Sequence, residues 1–453
     1  MSIHSARLFP LVFSMLATWL AICSSTVLID GSCDAAGTTR RRPTIVADRQ
    51  SDILRRVDRL DRTDAELFRA DVVVVGGGII GCAATAIMAD RGARVILVEG
   101  SSIGAGASGR NLGAIQHPFD PVLVPLYEES LTRYRALADA GFGDFTIGRT
   151  PAGLLLLNRD AETTEGQVQR ISSAFPELDP TFLAPDDLAV LEPSLAAELW
   201  AVSLATGYPV PPAAATHAWA ELAGAGRGAG IILDSPARVE IDAGRAVGVV
   251  LDDGTRISAG AVLVAAGPWT PRIVDPTGTW QPIAPTYGVT LQLRLDGETP
   301  RSIVEEDEVD TVNRAATATE RASEVGPDVD PPTLFSLATA GGVSTLGSTF
   351  LPVEPDASRI EPLLLRRAAA FLPGIARAEV IGRRMCARPQ SVDGHPFIGA
   401  VDGPDRLFVC AGHGPWGIST GPATAAIVAR AILDGTPPPP ELAAARPIEA
   451  RAG

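Results

Sequence analysis

From Leu67 onward, short apolar runs alternate with apolar positions at helical spacing, and this rhythm predicts most of the elements. "VVVV" at 72–75 reads as a strand, glycines at 76–78 and 81 as a turn, and the alanine-rich stretch behind them as a helix. "VILVE" at 95–99 is a second strand, so the run opens a βαβ unit. "PLYEESLTRYRALADAG" (125–141) puts Leu126, Leu131, Tyr134 and Leu137 at helical spacing and ends on a capping glycine. Residues 239–267 read as a β-meander, with turns at "DAGR" and "DDGT", whose last strand "AVLVAAG" returns to the sheet. Strands are expected again over 333–350, a helix over 359–374 and a last helix over 421–435. The stretch 305–332 is acidic and poor in bulky apolar residues, which predicts an exposed insertion. Residues 30–66 read as a linker, and the proline-rich tail after the last helix as disordered.

The 453 residues suffice for two domains or one large α/β unit, and the net charge of −15 argues against a nucleic-acid partner. All 38 basic residues are arginine. Without lysine there is no Schiff-base chemistry and no P-loop, so pyridoxal enzymes and Walker-type NTPases are excluded. Five scattered cysteines without a CxxC pair and five dispersed histidines indicate neither a disulfide framework nor a metal site. Residues 8–29 carry no charge. Three readings of them stay open: a membrane anchor, a cleaved signal, or a dispensable leader from a misassigned start.

The spacing Gly76-x-Gly78-x-x-Gly81 lies between a strand and a helix, where a dinucleotide's phosphates are held. Gly76 allows the tight turn, Gly78 lets backbone amides approach a pyrophosphate, and Gly81 lets the helix pack close to the strand. Glu99 closes the second strand 23 residues after Gly76, where a carboxylate accepts both ribose hydroxyls. A glutamate there disfavours a 2′-phosphate, and so NADP, but suits NAD and FAD alike. This stretch alone leaves that choice open.

Four later segments narrow it: "GASGRNLGAI" (106–115), "VLVAAGPWT" (262–270), "ARPQSVDGHPFIG" (387–399) and "LFVCAGHGPWGISTGPATA" (407–425). With the glycine turn, and in this order, they resemble the FAD-dependent amino-acid oxidoreductases that include D-amino-acid, glycine and sarcosine oxidases. The resemblance covers about residues 70–436. It implies an α/β fold of the α+β two-domain flavoprotein kind. A βαβ dinucleotide-binding FAD domain (67–118, 205–275 and 384–436) would be interleaved with an antiparallel-sheet substrate domain (119–204 and 276–383). Residues 1–66 would precede them and a tail, 437–453, would follow.

The same resemblance implies site roles. Gly76, Gly78, Gly81 and Glu99 would hold the ADP half of FAD, and Ser108, Arg110 and Asn111 would run along the pyrophosphate and flavin. Gly267 matches the turn beside the cofactor. Gly412, His413, Gly414, Gly417 and Ile418 match the segment whose amides meet the flavin's carbonyl end. Arg388 matches the arginine that grips the substrate carboxylate, a pairing that its bidentate guanidinium suits. Cys386 stands seven residues before Asp393, as does the cysteine that carries the flavin covalently in monomeric sarcosine oxidases. Most of the family binds FAD without a bond, and both readings stay open. Asp393 and His395 read as turn residues.

The implied reaction is oxidation of the C–N bond of a small amino acid or N-substituted amino acid, by hydride transfer to FAD and hydrolysis of the imine. The chain departs from the sarcosine branch in lacking its oxygen-activating lysine, so the acceptor is either oxygen or a quinone or electron-transfer protein. The rivals are a dehydrogenase of the same fold and a non-catalytic FAD-binding subunit. The expected location is cytoplasmic, with a tether through residues 8–29 or an exported form as the alternatives.

Overall fold

The computed structural model describes residues 69–226, 228–307 and 330–448. The apolar segment 8–29, the linker and residues 308–329 of the acidic stretch lie outside the described residues. Among the described residues no helix is long and apolar enough to cross a membrane.

β1 (Arg69–Val75) and β2 (Val95–Val98) flank α1 (Ile79–Asp90), as the apolar pattern predicts. They lie in a sheet of order β17–β18–β11–β1–β2–β8, with β8 at Ala229–Ile232, β11 at Arg256–Val264, β17 at Phe397–Ala400 and β18 at Leu407–Ala411. The strands from β18 to β8 run parallel, and β17 pairs antiparallel at the edge. β9 (Ala237–Asp242) and β10 (Arg245–Leu251) form the expected meander onto β11. Parallel strands are covered on both faces, which is why β1 is an unbroken valine run. Val72 and Val74 join the core beneath the helices, whereas Val73 and Val75 pack with Val249, Ile257 and Val262 on the other side.

A second sheet runs β16–β12–β15–β14–β13–β4–β6–β5. Its strands are β4 (Leu154–Asn158), β5 (Thr181–Leu183), β6 (Trp200–Leu204), β12 (Ile283–Arg294), β13 (Ile303–Glu306), β14 (Ser336–Ala340), β15 (Val343–Gly347) and β16 (Glu379–Ser391). All neighbours are antiparallel except β13 and β4, which run parallel. β3 (Ala114–Ile115) and β7 (Tyr208–Pro209) form a small separate ribbon.

The remaining α-helices among the described residues are α2 (Ala107–Arg110), α3 (Val124–Asp139), α4 (Ala161–Ala174), α5 (Pro185–Leu191), α6 (Ala214–Ala225), α7 (Thr270–Val274), α8 (Ala357–Ala369) and α9 (Gly417–Asp434). Period-two alternation divides the second sheet's side chains. Leu155, Leu157, Leu291 and Val304 pack with Leu188 of α5 and Leu364 of α8. Leu154, Leu156 and Ala338 turn the other way, into the core shared with α1, α3, α6 and α9.

Several expectations are corrected. The boundary at 384 cuts through β16, whose pairing with β12 runs unbroken past it to Ser391↔Ile283. α3, expected among residues of the substrate half, packs along α9, where Ser130 Oγ accepts from the Ala423 amide at 3.0 Å. The acidic stretch is not exposed at its start. Glu305 and Glu306 are buried in β13, Glu306 being held by Arg367 of α8 and Glu305 lying 3.4 Å from Gln116 Nε2. Burial between two strands overrides the charge pattern there.

The tail is ordered at least to residue 448. Leu442 is buried, the Ala444 amide donates to Ile398 O, and Arg446 clasps Asp393 through Nε (2.8 Å) and Nη2 (2.9 Å). The guanidinium also lies over the Phe397 ring at 3.7 Å and donates to the Pro396 and His395 carbonyls. One buried arginine supplies the order that the proline-rich composition lacks.

Burial alone would raise the Asp393 carboxyl, but the Arg446 hydrogen bonds and the His395 amide outweigh it and hold it below its ordinary value of 3.8. Its stabilising contribution is therefore full above that pH and is lost as pH falls through the folded value. Arg446→Ala is expected to cost roughly 2–4 kcal/mol near neutral pH by leaving a part-buried carboxylate unpaired. In urea melts, Asp393→Asn should be less stable than the parent near neutral pH, with the gap closing as the medium drops below about pH 4. A gap independent of pH would show that the ion pair contributes nothing.

Candidate active site

The glycine turn depends on missing side chains. Gly76 has φ +116°, and a Cβ on it would stand 2.5 Å from the Ala265 carbonyl oxygen of the neighbouring strand. A Cβ on Gly81 would overlap the Gly76 carbonyl oxygen, so only glycine lets α1 leave the sheet at this distance. Gly78 caps α1 with no side-chain hydrogen bond, and the first turn carries no acidic residue. The positive end of α1 therefore opens onto space that Ser108 borders. The Glu99 carboxylate is aimed by two amides, Gly77 at 2.6 Å and Ser101 at 2.9 Å.

A cavity of about 900 Å³ runs from this turn to the end of the second sheet. Gly76, Gly78 and Glu99 line it at one end, with Ser108, Arg110 and Asn111 along its length. Gly267, His413, Gly414, Gly417 and Ile418 line it further on, as do Cys386 and Arg388. Gly81 and Gly412 do not reach it. Gly81 serves the helix–strand contact, and Gly412, at φ +91°, backs onto Phe397, Ser391 and Ile283. Ser108 Oγ accepts from the Ile79 amide at 3.0 Å, placing a hydroxyl at the helix end. The Asn111 side chain is spent within its own loop, on the Ala107 and Ser108 carbonyls and the Gly113 amide. Arg110 reaches across to the Met385 carbonyl of β16 at 3.1 Å.

Strand alternation puts Arg384, Cys386 and Arg388 on one face of β16, beside Thr290, Gly288 and Thr286 of β12. Arg388 donates from Nη1 to the Thr349 carbonyl (2.8 Å) and from Nη2 to Ser348 Oγ (2.5 Å), and lies 4.3 Å from the Phe350 ring centroid. Gly288 makes room for it, since a Cβ there would come within 2.5 Å of the guanidinium. Burial lowers the Arg388 pKa, with an opposing influence from Cys386. The guanidinium is thus clamped in place with N–H groups to spare and no carboxylate bonded to it among the described residues.

α9 starts at Gly417, one turn earlier than expected, and contains Pro422. Proline has no N–H for the carbonyl four residues back, that of Ile418. Tyr134 of α3 fills this gap, its hydroxyl donating to Ile418 O at 2.6 Å. Burial raises the Tyr134 phenol well above its ordinary value, so it remains a donor. Two α3 hydroxyls, Ser130 and Tyr134, therefore brace the helix end that lines the cavity. His413 is buried, and its pKa is pushed down to about 3 by burial. Its Nε2 lies 2.9 Å from Thr424 Oγ1, whose own hydrogen goes to the Gly421 carbonyl, so the neutral ring donates from Nε2. Nδ1 is left as a buried acceptor.

Asp393 and His395 lie in a turn. Asp393 is bound by Arg446, and His395 Nε2 lies 3.0 Å from Asp120 Oδ2. Sequence reading missed Tyr134, Gly288, Ser348, Thr349 and Arg384. Pro422 inside a helical pattern is a local signal that a carbonyl needs a partner; no local signal marks the others, because strand pairing brings them together.

Residues 71–431 match the family described as FAD dependent oxidoreductase. Glycine oxidase of Geobacillus kaustophilus (strain HTA426) is 30% identical over 376 residues, covering 80% of this chain and 92% of the relative. The crystal structure of glycine oxidase from Geobacillus kaustophilus superposes with a TM-score of 0.66 at 25% identity, over 80% of this chain and 94% of that one. Iminodiacetate oxidase from Chelativorans sp. BNC1 shares the fold, with a TM-score of 0.68 at 22% identity over 83% of this chain and 100% of that one. The chain belongs to the FAD-dependent oxidoreductase family.

The cavity fits that cofactor. The bare glycines, the N-terminal end of α1 and the aimed Glu99 carboxylate supply room, positive potential and a ribose acceptor in sequence along one channel.

Gly81→Ala should cost about 1–3 kcal/mol through overpacking and reduce FAD retention, read by flavin absorbance per chain after gel filtration. Tyr134→Phe should destabilise by about 1–3 kcal/mol in urea melts, because Ile418 O loses its donor. An unchanged melt would mean that water replaces the phenol.

Proposed function

We propose that this protein oxidises the C–N bond of a small amino acid or N-substituted amino acid, with Arg388 receiving the substrate carboxylate. The observation that carries the reading is the clamped Arg388 guanidinium, lining the same cavity as the glycine cradle with no carboxylate bonded to it among the described residues. The glycine and iminodiacetate oxidases among its relatives act, by name, on amino acids of this kind. The site roles proposed for the glycine cradle, Glu99, Ser108, Arg110, Gly267 and the His413–Ile418 segment rest on their place along that cavity.

Bound FAD would supply the hydride acceptor, the difficult part of the chemistry. Arg388 would fix the carboxylate, and with it the α-carbon, by a bidentate contact that needs the N–H groups left over from Thr349 and Ser348. The N-terminal turn of α9, held by Tyr134, would direct positive potential into the cavity. His413, neutral above about pH 3, would offer an acceptor rather than a charge. The substrate loses a hydride and a proton to become an imine, and water then releases the amine and carbonyl products. Cys386 is buried and lines the cavity, so the covalent-flavin alternative remains part of the proposal. It is tested by whether yellow colour stays with the denatured chain. The absence of lysine favours an acceptor other than oxygen as the second reading.

Anaerobic addition of glycine, sarcosine, other N-alkyl amino acids and D-amino acids should bleach the flavin with at least one class. Readmitting air then separates oxidase from dehydrogenase. Arg388→Gln should raise KM by about two orders of magnitude, the worth of a charge-assisted bidentate contact, with a smaller effect on kcat. A yellow protein that no amine bleaches would overturn the reading.

A further inference from the structure

Four arginines and a single carboxylate, Glu99, are among the residues that line the cavity. Arg110 and Arg388 stand at its Cys386 end, the first bonded to the Met385 carbonyl and the second to Thr349 and Ser348. Arg238 of β9 and Arg272 of α7 stand elsewhere. The loop before β9 is tied to the strand end that carries the ribose acceptor. There the Ser235 amide donates to Glu99 O at 3.0 Å and the Asp234 amide to Ser101 O at 2.9 Å. Arg238 leaves the chain three residues after Ser235. α7 packs beside this strand, since Ile273 and Val274 share a core with Ala237 and Val239. Three residues before Arg272, the Trp269 ring faces Gly106, on the loop that runs on to Ser108.

Arg238 and Arg272 are exposed as well as cavity-lining, which puts them at the mouth. Neither has a hydrogen bond or an ion pair among the described residues. The acids beside them in the sequence are taken. Glu240 holds Arg256 at 2.9 Å, and Asp275 accepts from the Thr277 and Trp280 amides. Two unpaired cations on one rim, in a chain of net charge −15, turn this mouth into an attractor for anions. The diphosphate of FAD is a dianion. The end of α1 answers it with only about half an elementary charge, and from the closed side of the cavity. The two guanidinium groups can supply the rest from the open side, where their long stems leave them free to reach.

We infer that Arg238 and Arg272 close the open side of the ADP half of the cofactor, neutralise its diphosphate, and make FAD retention depend on ionic strength. The inference rests on the proposed place of the glycine cradle and Glu99 along the cofactor, and it is independent of the role of Arg388. It adds two residues that no sequence motif marked. A guanidinium could instead stack on the adenine ring without neutralising charge, and the test separates the two.

The starting protein is the parent chain if denaturation releases its flavin, and Cys386→Ser if it does not. FAD affinity is read from the flavin fluorescence released on serial dilution, at about 0.05 M and about 0.5 M NaCl. The starting protein should bind FAD about tenfold more weakly at the higher salt. With Arg238→Gln and Arg272→Gln together, affinity at the lower salt should fall about tenfold and differ by less than about twofold between the two salts. The paired lysine substitutions should recover most of the affinity and of the salt response, because a point charge suffices at an open mouth. An affinity within about twofold across the two salts in the starting protein would overturn the inference, whether or not the variants fold. So would a glutamine pair that keeps the starting affinity. A glutamine pair that binds weakly yet keeps the full salt response, or a lysine pair no better than glutamine, would overturn it in favour of stacking on adenine. If the starting protein holds no flavin and takes none up, the proposed place of the cradle falls, and this inference with it. The amine panel tests Arg388 separately.

Discussion

The close approach of α1 to the first sheet is the constraint on which the rest depends. It exists because Gly76 and Gly81 carry no side chain, the carbonyl of Gly76 occupying the space a Cβ on Gly81 would take. That approach fixes where the N-terminal end of α1 points, and the cavity begins there. Ser108 and Glu99 are then set by hydrogen bonds to the amides of the same turn, Ile79 and Gly77. Removing the contact would disturb helix packing and cavity together, since one backbone path serves both.

At the opposite end, the β12–β16 ladder does comparable work by different means. Gly288, paired with Cys386, leaves the room that the Arg388 guanidinium fills, and the segment just after β15 delivers Thr349 O and Ser348 Oγ to it. The polar face of this sheet is crowded with groups that ordinarily stay in water, Arg384, Arg388 and Glu305 among them. The opposite face is an apolar core whose charged exception is Glu306, held by Arg367. A sheet with one face apolar and the other charged is stable only where the charged face meets partners, hydrogen-bonded or ligand-borne. Chemistry is concentrated where ordinary packing would have placed none.

The order of the tail and of α9 shows how single side chains substitute for propensity. Pro422 would weaken a free helix, yet Tyr134 makes good the hydrogen bond it removes. The proline-rich tail has no helical or strand pattern, yet Arg446 holds it against Asp393 and Phe397. In both places the local sequence argued against order, and a partner far along the chain reversed it.

The amino-acid sequence by itself determined the βαβ opening, the glycine turn, Glu99 and the meander. Each is a local pattern in which residue type and spacing carry the physics: valines buried on both faces, glycines where Cβ atoms would collide, a carboxylate at a strand end. The family resemblance added the loop at 108–111, Gly267, the segment 412–418 and Arg388, whose place it marked but whose seat it did not show. Tertiary structure alone decided that Glu305 and Glu306 are buried rather than exposed, that β16 belongs with β12, and that Cys386 and Arg388 line one cavity with Arg110. Those facts depend on strand register and on contacts between residues hundreds of positions apart, such as Arg110 with Met385. Local composition does not encode them, because the free energy that fixes them is gained only when the two sheets meet.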